Sequence, residues 1–434
     1  MVIDMCVNFR RYVSGDEKGI VDLLKICFRS FNSWGLSVED WLDYCEDDDG
    51  FKLENALVAE NGGKIVGHIQ LMHRKIRINK SILDCGGIAN VSTHPDYRRQ
   101  GIATKLLSMA IEICRGNGWP ISSLFTGYGG EGYRVYRAMG YADTTFMCEY
   151  IGTRERAEKT LKILPEEDVE IEEINMGNLG YVMKMYEECS RRINGSCYRS
   201  MDYWVKKIIE KTYHQSFFYE DKTAGIRIMV KKNGNIVGYA LAFNGLKALR
   251  SRWLNKTGLI LEIMAKNPLN RIMVFREILS RLLSEDVKLF VLRIPRNYLP
   301  KNVLKYFEEM KGAIYMDYIT DQRRLFEELK PELEDRLKNF ENEIETEICI
   351  RTPYGKTKME IVGDEINFSD DENAENHIEF TRDGITKLIY GIKSFKELLK
   401  EDYIIEFKMN DYVLRMFNAM FPKKMFNISS IDDW

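Results

Sequence analysis

The 434-residue sequence lacks any uninterrupted apolar run of about 18 residues, the length a membrane-crossing helix needs. Its first residues, MVIDMCVNFRRYVSGDEKG, show neither an apolar signal core nor a cleavage pattern. The expectation is a cytoplasmic protein with no membrane partner. Charge of one sign is missing too. Lys+Arg 63 against Asp+Glu 66 leaves a net charge of only −3, so no overall field draws the chain to nucleic acid, and any basic site must be local. The cysteines number nine, and none forms a Cys-x-x-Cys pair; they sit mostly on apolar faces and read as buried free thiols. The five histidines, His68, His73, His94, His214 and His377, are scattered without metal-ligand spacing, so no metal site is expected. Glutamine occurs four times beside abundant Lys and Glu, a bias of heat-adapted proteins that concerns habitat rather than activity.

What is present suits globular cores: 45% hydrophobic and 30% charged residues of mixed sign. At about 150 residues per domain the length suggests about three units. The first 150 residues alternate helical and strand patterns, an α/β order. Ile20, Leu23, Leu24, Cys27 and Phe28 share a helical face, and Ser37 to Asp40 reads as a capping box, so two helices open the chain. NALVAENGGKIVGHIQLMH is a hairpin turning at Asn61 to Gly63; GGIANVSTHP is a strand, TKLLSMAIEICRGNG a helix with Leu106, Leu107, Ala110, Ile111 and Cys114 inward, and ISSLFTGY a strand. The pattern then returns. VKKNGNIVGYALA repeats VAENGGKIVGHIQL, and SMDYW repeats SVEDW with Trp204 in the place of Trp41. TRERAEKTLKILPEED, charged and poorly patterned, suits a linker. The expected units are 1–152, a divergent copy at 160–322, and an α+β unit at 323–434 that carries no catalytic signature.

The stretch HPDYRRQGIATKLL, His94 to Leu107, holds the chemistry. A helix start presents free backbone amides and the positive end of its dipole, and small residues let a pyrophosphate approach them. Gly101 and Ala103 leave the amides open, while Arg98 and Arg99 add charge. By itself the pattern equally suits an ordinary helix start with surface arginines. Its context is a preceding strand, a following helix and a later YRAMGY. Arg98-Arg99-Gln100-Gly101-Ile102-Ala103 resembles the R/Q-x-x-G-x-G/A signature of the GCN5-related N-acetyltransferase (GNAT) superfamily, and Tyr136-x-x-x-Gly140-Tyr141 resembles its late Y-x-x-x-G-F/Y element. The resemblance implies acetyl-CoA as co-substrate, with Arg98, Arg99, Gln100, Gly101, Ile102 and Ala103 around its pyrophosphate. It also implies a strand that splays from its neighbour, so that the backbones of Val91 and Thr93 pair with the pantetheine arm. The second copy has AKNPLNRIMVFREIL at the equivalent place, without the glycine. Whole-chain organisation is similar to the enhanced intracellular survival (Eis) acetyltransferases. That likeness implies tandem GNAT folds, each a mixed sheet flanked by helices, followed by a sterol-carrier-protein-like α+β unit, in a trimer or hexamer.

Acetyl transfer to an amine needs a neutral amine, support for an oxyanion and a proton for the departing thiolate. Tyr136 suits the acid, or is a core tyrosine at a helix end. No His or Glu is marked as base; the Eis resemblance points to the terminal carboxylate, here that of Trp434, with Asp432 and Asp433 drawing in a cationic amine. The tail could equally be frayed. Two functions remain: an N-acetyltransferase using direct attack in a ternary complex on an amine of a small cationic molecule or a protein lysine, and a non-catalytic acetyl-CoA-binding or lipid-carrier protein. GYGGEGYRVYRAMGY is longer and richer in Tyr before Tyr136 than is usual for Eis.

Overall fold

The computed structural model describes residues 7–211, 224–247, 255–338, 340, 345–432 and 434. Strand β1 (Asn8–Arg11) comes first, then helices α1 (Glu17–Cys27), α2 (Arg29–Trp34) and α3 (Val38–Glu46). Strands β2 (Phe51–Asn61), β3 (Lys64–Ile78) and β4 (Ser81–Thr93) are antiparallel neighbours, and helix α4 (Ile102–Gly116) crosses to β5 (Ile121–Thr126), parallel to β4. Helix α5 (Glu131–Met139), strand β6 (Ala142–Thr153) and helix α6 (Arg154–Ile163) follow. The order then recurs through β7 (Glu170–Glu173), α7 (Leu179–Ser190), the two-residue β8 (Ile193–Asn194) and a helical turn α8 (Met201–Tyr203) that widens into a π-helix over Trp204–Lys211. Next come β9 (Gly225–Lys232), β10 (Asn235–Asn244), β11 (Thr257–Ala265), α9 (Pro268–Leu283), β12 (Leu289–Leu292) and β13 (Glu308–Ile319). The remainder is α10 (Gln322–Leu337), β14 (Glu345–Thr352), β15 (Gly355–Val362), β16 (Glu365–Ser369), β17 (Asn376–Phe380), α11 (Arg382–Ile389), α12 (Phe395–Lys400), β18 (Ile404–Lys408), α13 (Asp411–Met420) and β19 (Met425–Phe426). The fold is α/β, with mixed sheets flanked by helices.

Local chemistry explains the elements that position the site. Gly62 and Gly63, at φ 58° and 81°, make the two-residue turn between β2 and β3, as Asn233 and Gly234 do between β9 and β10. Ser37 and Asp40 form the reciprocal capping box of α3. The expected inner face of α4 is buried from Leu106 to Cys114. The two halves share deeper contacts. A Cβ at Gly67 would stand 2.6 Å from Ile102 Cγ2, and one at Gly238 2.8 Å from Val274 Cγ2, so each crossing helix lies directly on a strand glycine. Trp41 meets His68 edge to face at 6.2 Å, and Trp204 meets Tyr239 likewise at 6.3 Å.

Twelve strands form one sheet in the order β1-β2-β3-β4-β5-β13-β6-β12-β11-β10-β9-β7. Strand β13, from the second half, is inserted between β5 and β6 of the first, and β6 in turn pairs with β12. The halves have exchanged their last strands. A separate five-stranded sheet, β16-β15-β14-β17-β18, packs with α10, α11, α12 and α13, and β19 pairs with β8.

Two local expectations are corrected. Strand β1 precedes the opening helices and α2 lies between them; NFRR has no apolar alternation to announce a strand, and Arg10 holds it by bonding Asp16 and Glu60. The linker is largely helix α6, because Ala157 and Thr160 are enough to bury one face while its charges line the other. The eight described cysteines are free thiols, and seven are buried. His214 lies outside the described residues.

Candidate active site

Strands β4 and β5 pair only from Cys85↔Ile121 to Ile88↔Leu124, yet β4 continues to Thr93. Beyond Ile88 the two diverge into a V. The cause is a bulge: Asn90 and Val91 together oppose Ile69, and Asn90 takes φ 53°. His94 N–H donates to Val66 O at 2.8 Å, so by the alternation of the ladder the backbone groups of Thr93 and Val91 turn away from β3 toward the V. The Thr93 carbonyl there accepts from Cys27 Sγ at 3.3 Å and Arg98 Nε at 3.4 Å.

The loop from Arg98 to Gly101 turns the chain out of this strand into α4. Arg99 is left-handed at φ 60°, and Gly101 is the helix N-cap at φ 79° with nothing within 4 Å of the place a Cβ would occupy. Ile102 is buried and anchors the helix start, while Arg98, Arg99 and Gln100 are exposed. Among the described residues no acceptor is bonded to the amides of Ile102, Ala103 or Thr104, which leaves a helix start with its dipole and donors aimed at open space. Arg98 Nη1 lies 3.6 Å from Glu131 Oε2 across the mouth. A pyrophosphate fits this arrangement. The second half does not repeat it: with Val274 at the place of Ile102, the counterpart of Gly101 is Met273, buried inside α9, which begins at Pro268.

Tyr136, on α5, is 7% exposed, and its ring packs against Tyr141 at 6.0 Å. Among the described residues its hydroxyl bonds to nothing, and burial pushes its phenol well above the usual range, so it stays protonated. The C-terminal tail reaches the same sheet from the opposite face. Strand β19 pairs with β8, Ile428 and Ile431 are buried, and the Trp434 indole donates from Nε1 to Ser123 O at 3.1 Å. A Cβ on Gly87 would lie 2.8 Å from that ring, and Phe125 meets it at 5.1 Å. Gly87 and Ser123 are register partners just below the split of the V.

Asp432 is not available to an amine, contrary to expectation. It is 1% exposed and bonded by both Oδ atoms to Arg199, which also grips Glu262 in a two-point pair. Asp433 lies outside the described residues. The network of Arg199, Glu262 and Asp432 was missed in the sequence, although Glu262 in the apolar run LILEIMA was a visible signal. Also missed was Asp317 of β13, buried between Ser123 Oγ and Thr144 Oγ1 at 2.6 Å each, with burial raising its carboxyl to about 6. Among the described residues no group of three or more His, Cys, Asp or Glu could hold a metal ion, and no helix is long and apolar enough to cross a membrane.

Residues 8–143 match the family model for the acetyltransferase (GNAT) domain. No curated protein matches the sequence. Among solved structures, a GCN5-related N-acetyltransferase from Anabaena variabilis ATCC 29413 superposes with a TM-score of 0.71 at 14% identity, over 99% of this chain and 100% of that one. One from Kribbella flavida gives 0.67 at 13%, over 99% and 98%. Eis1 from Mycobacterium abscessus gives 0.62 at 14%, over 98% and 99%. These likenesses are of fold, and they span all parts of the chain. The diverging strand pair and the glycine-capped helix both lie within residues 8–143, the part of the chain that matches the GNAT acetyltransferase domain.

Proposed function

We propose that the protein transfers the acetyl group of acetyl-CoA to a primary amine of a small molecule or a protein lysine, by direct attack in a ternary complex within the first half of the chain. The observation that carries this reading is the V between β4 and β5 ending at an unobstructed, glycine-capped helix start, whereas α9 of the second half begins at Pro268 with its first turn capped by the Asn267 side chain. Arg98, Arg99, Gln100, Gly101, Ile102 and Ala103 hold the pyrophosphate, and the backbones of Val91 and Thr93 pair with the pantetheine arm. The amine nitrogen attacks the thioester carbon, the C–S bond breaks, and Tyr136 gives its proton to the leaving thiolate. The amine's proton passes to the terminal carboxylate of Trp434, and Asp433 is the residue assigned to draw in the amine. The insertion of the Trp434 indole between Gly87 and Ser123 supports that placement. A cationic acceptor loses part of its basis, since Asp432 is sealed against Arg199.

The units 1–152, 160–322 and 323–434 serve as catalytic domain, degenerate copy and sterol-carrier-like domain in a cytoplasmic trimer or hexamer. Light scattering that finds a strict monomer at micromolar concentration removes the assembly. The central test is calorimetry with acetyl-CoA followed by a thiol-release assay across polyamines, aminoglycosides and lysine peptides. One site per chain and amine-dependent thiol release are expected; two sites, or none, overturn the reading.

A further inference from the structure

A cavity of about 790 Å³ opens where β6, β13, α11 and the stretch before β19 meet. Six cations line it: Arg296, Lys311, Lys387, Lys393, Lys423 and Lys424. Some of this charge is already matched. Arg296 pairs with Glu309 at 2.8 Å, Lys393 with Glu401 at 2.6 Å and Lys423 with Glu397 at 2.6 Å. The two lining carboxylates, Asp143 and Asp383, face Arg137 at 3.5 and 2.6 Å, and Lys387 donates to the Asp143 carbonyl. Lys311 and Lys424 are left over. Among the described residues neither has a carboxylate partner; Lys311 instead lies over the Phe146 ring at 4.7 Å. The wall therefore carries about two uncompensated positive charges inside a concave surface that also includes aromatic side chains. Lys387 is already within that balance, offsetting the second of the two aspartates; burial lowers its ammonium to about 8 even beside Asp383 and Asp143, so a further anion nearby would stabilise its charged form.

The cavity also belongs to the reaction cleft by position. Tyr128, on its rim, follows the diverging end of β5 and packs on Tyr133 of α5 at 4.8 Å. Phe426 and Asn427, on its floor, begin the tail that sets Trp434 against Gly87. We propose that this basin holds the anionic end of the acetyl acceptor, so that the substrate is a small amine bearing a phosphate monoester or carboxylate groups rather than a polycation. The proposal rests on the acetyl-transfer reading and names its substrate class.

Two measurements decide it. In the first, inorganic pyrophosphate is titrated by calorimetry into the full chain saturated with coenzyme A, and into Lys311→Gln/Lys424→Gln. Binding that weakens with salt and falls at least about tenfold in the double variant, which loses two charge-assisted contacts, is expected. Absent binding, or equal binding in both proteins, overturns the proposal. In the second, ω-aminoalkyl phosphates and ω-amino acids of rising chain length are compared as acceptors with the matching amino alcohols and diamines. The anionic series should have the higher kcat/KM, and the double variant should raise KM for that series alone; the better of its two arms tells phosphate from carboxylate. Equal or better use of diamines overturns the proposal while leaving acetyl transfer intact. Failure of acetyl-CoA to bind overturns acetyl transfer instead, and with it the acceptor role of the basin.

Discussion

Gly101 combines two properties that no other residue type supplies together, a left-handed backbone at the helix N-cap and empty space where a side chain would stand. Gly101→Glu fills that space with a negative charge, so acetyl-CoA binding is expected to vanish in calorimetry while the thermal unfolding midpoint moves little; retained binding would remove the loop from the site. Tyr136→Phe keeps the ring against Tyr141 and withdraws the hydroxyl. Turnover should fall by about 100-fold, the usual scale of general acid catalysis, with acetyl-CoA affinity unchanged. A fall of less than about twofold would make Tyr136 a packing residue. Gly87→Val is the sharper probe of the far side of the sheet: its side chain would collide with the Trp434 indole, whose nearest ring atoms lie 2.8 Å from the first added carbon. The tail should be expelled and turnover lost with acetyl-CoA still bound, measured as the quenching of tail fluorescence against thiol release.

Among elements, the tail depends most on distant partners. Arg199 is fully buried between Glu262 and Asp432, with its guanidinium 4.1 Å above the Tyr186 ring. Arg199→Met leaves two carboxylates without their counter-charge and should cost about 3 to 5 kcal/mol of stability, read from denaturant unfolding. A change within experimental error would mean that the acids simply take up protons. A single glycine added after Trp434 should abolish turnover and preserve acetyl-CoA binding if the terminal carboxylate is the base. The elements also show where sequence reading succeeds. The Gly62–Gly63 turn, the Ser37 capping box and the inner face of α4 are local: neighbours in sequence determine them. The helix start at Gly101 was legible for the same reason. Strand β1 and helix α6 were not, because NFRR and RERAEKTLKI take their shape from partners elsewhere in the chain, Asp16 and Glu60 for the one and α9 for the other. The sealing of Asp432 by Arg199, a residue 233 positions away, leaves no mark in the tail's own sequence.

At the scale of the molecule, the exchange of β6 and β13 binds the two halves into one sheet. Ser123 of β5 and Thr144 of β6 both bond Asp317, which belongs to the inserted strand. Residues 1–152 expressed alone therefore present β5 and β6 as two bare edges around a missing strand, and they should aggregate and fail to bind acetyl-CoA. A soluble fragment that binds as the full chain does would show that β13 is dispensable. The same insertion sets an order in time. The ribosome delivers β6 first and must add roughly 155 residues before Glu308 of β13 follows Thr153; at about 5 to 20 residues per second that interval lasts roughly 8 to 30 s. Throughout it the nascent first half is an open sheet that waits for its own downstream sequence. A transcript cut short before β13 should accordingly yield no half-working product, and synonymous changes that slow translation across this interval should lengthen the chain's exposure to chaperones and proteases.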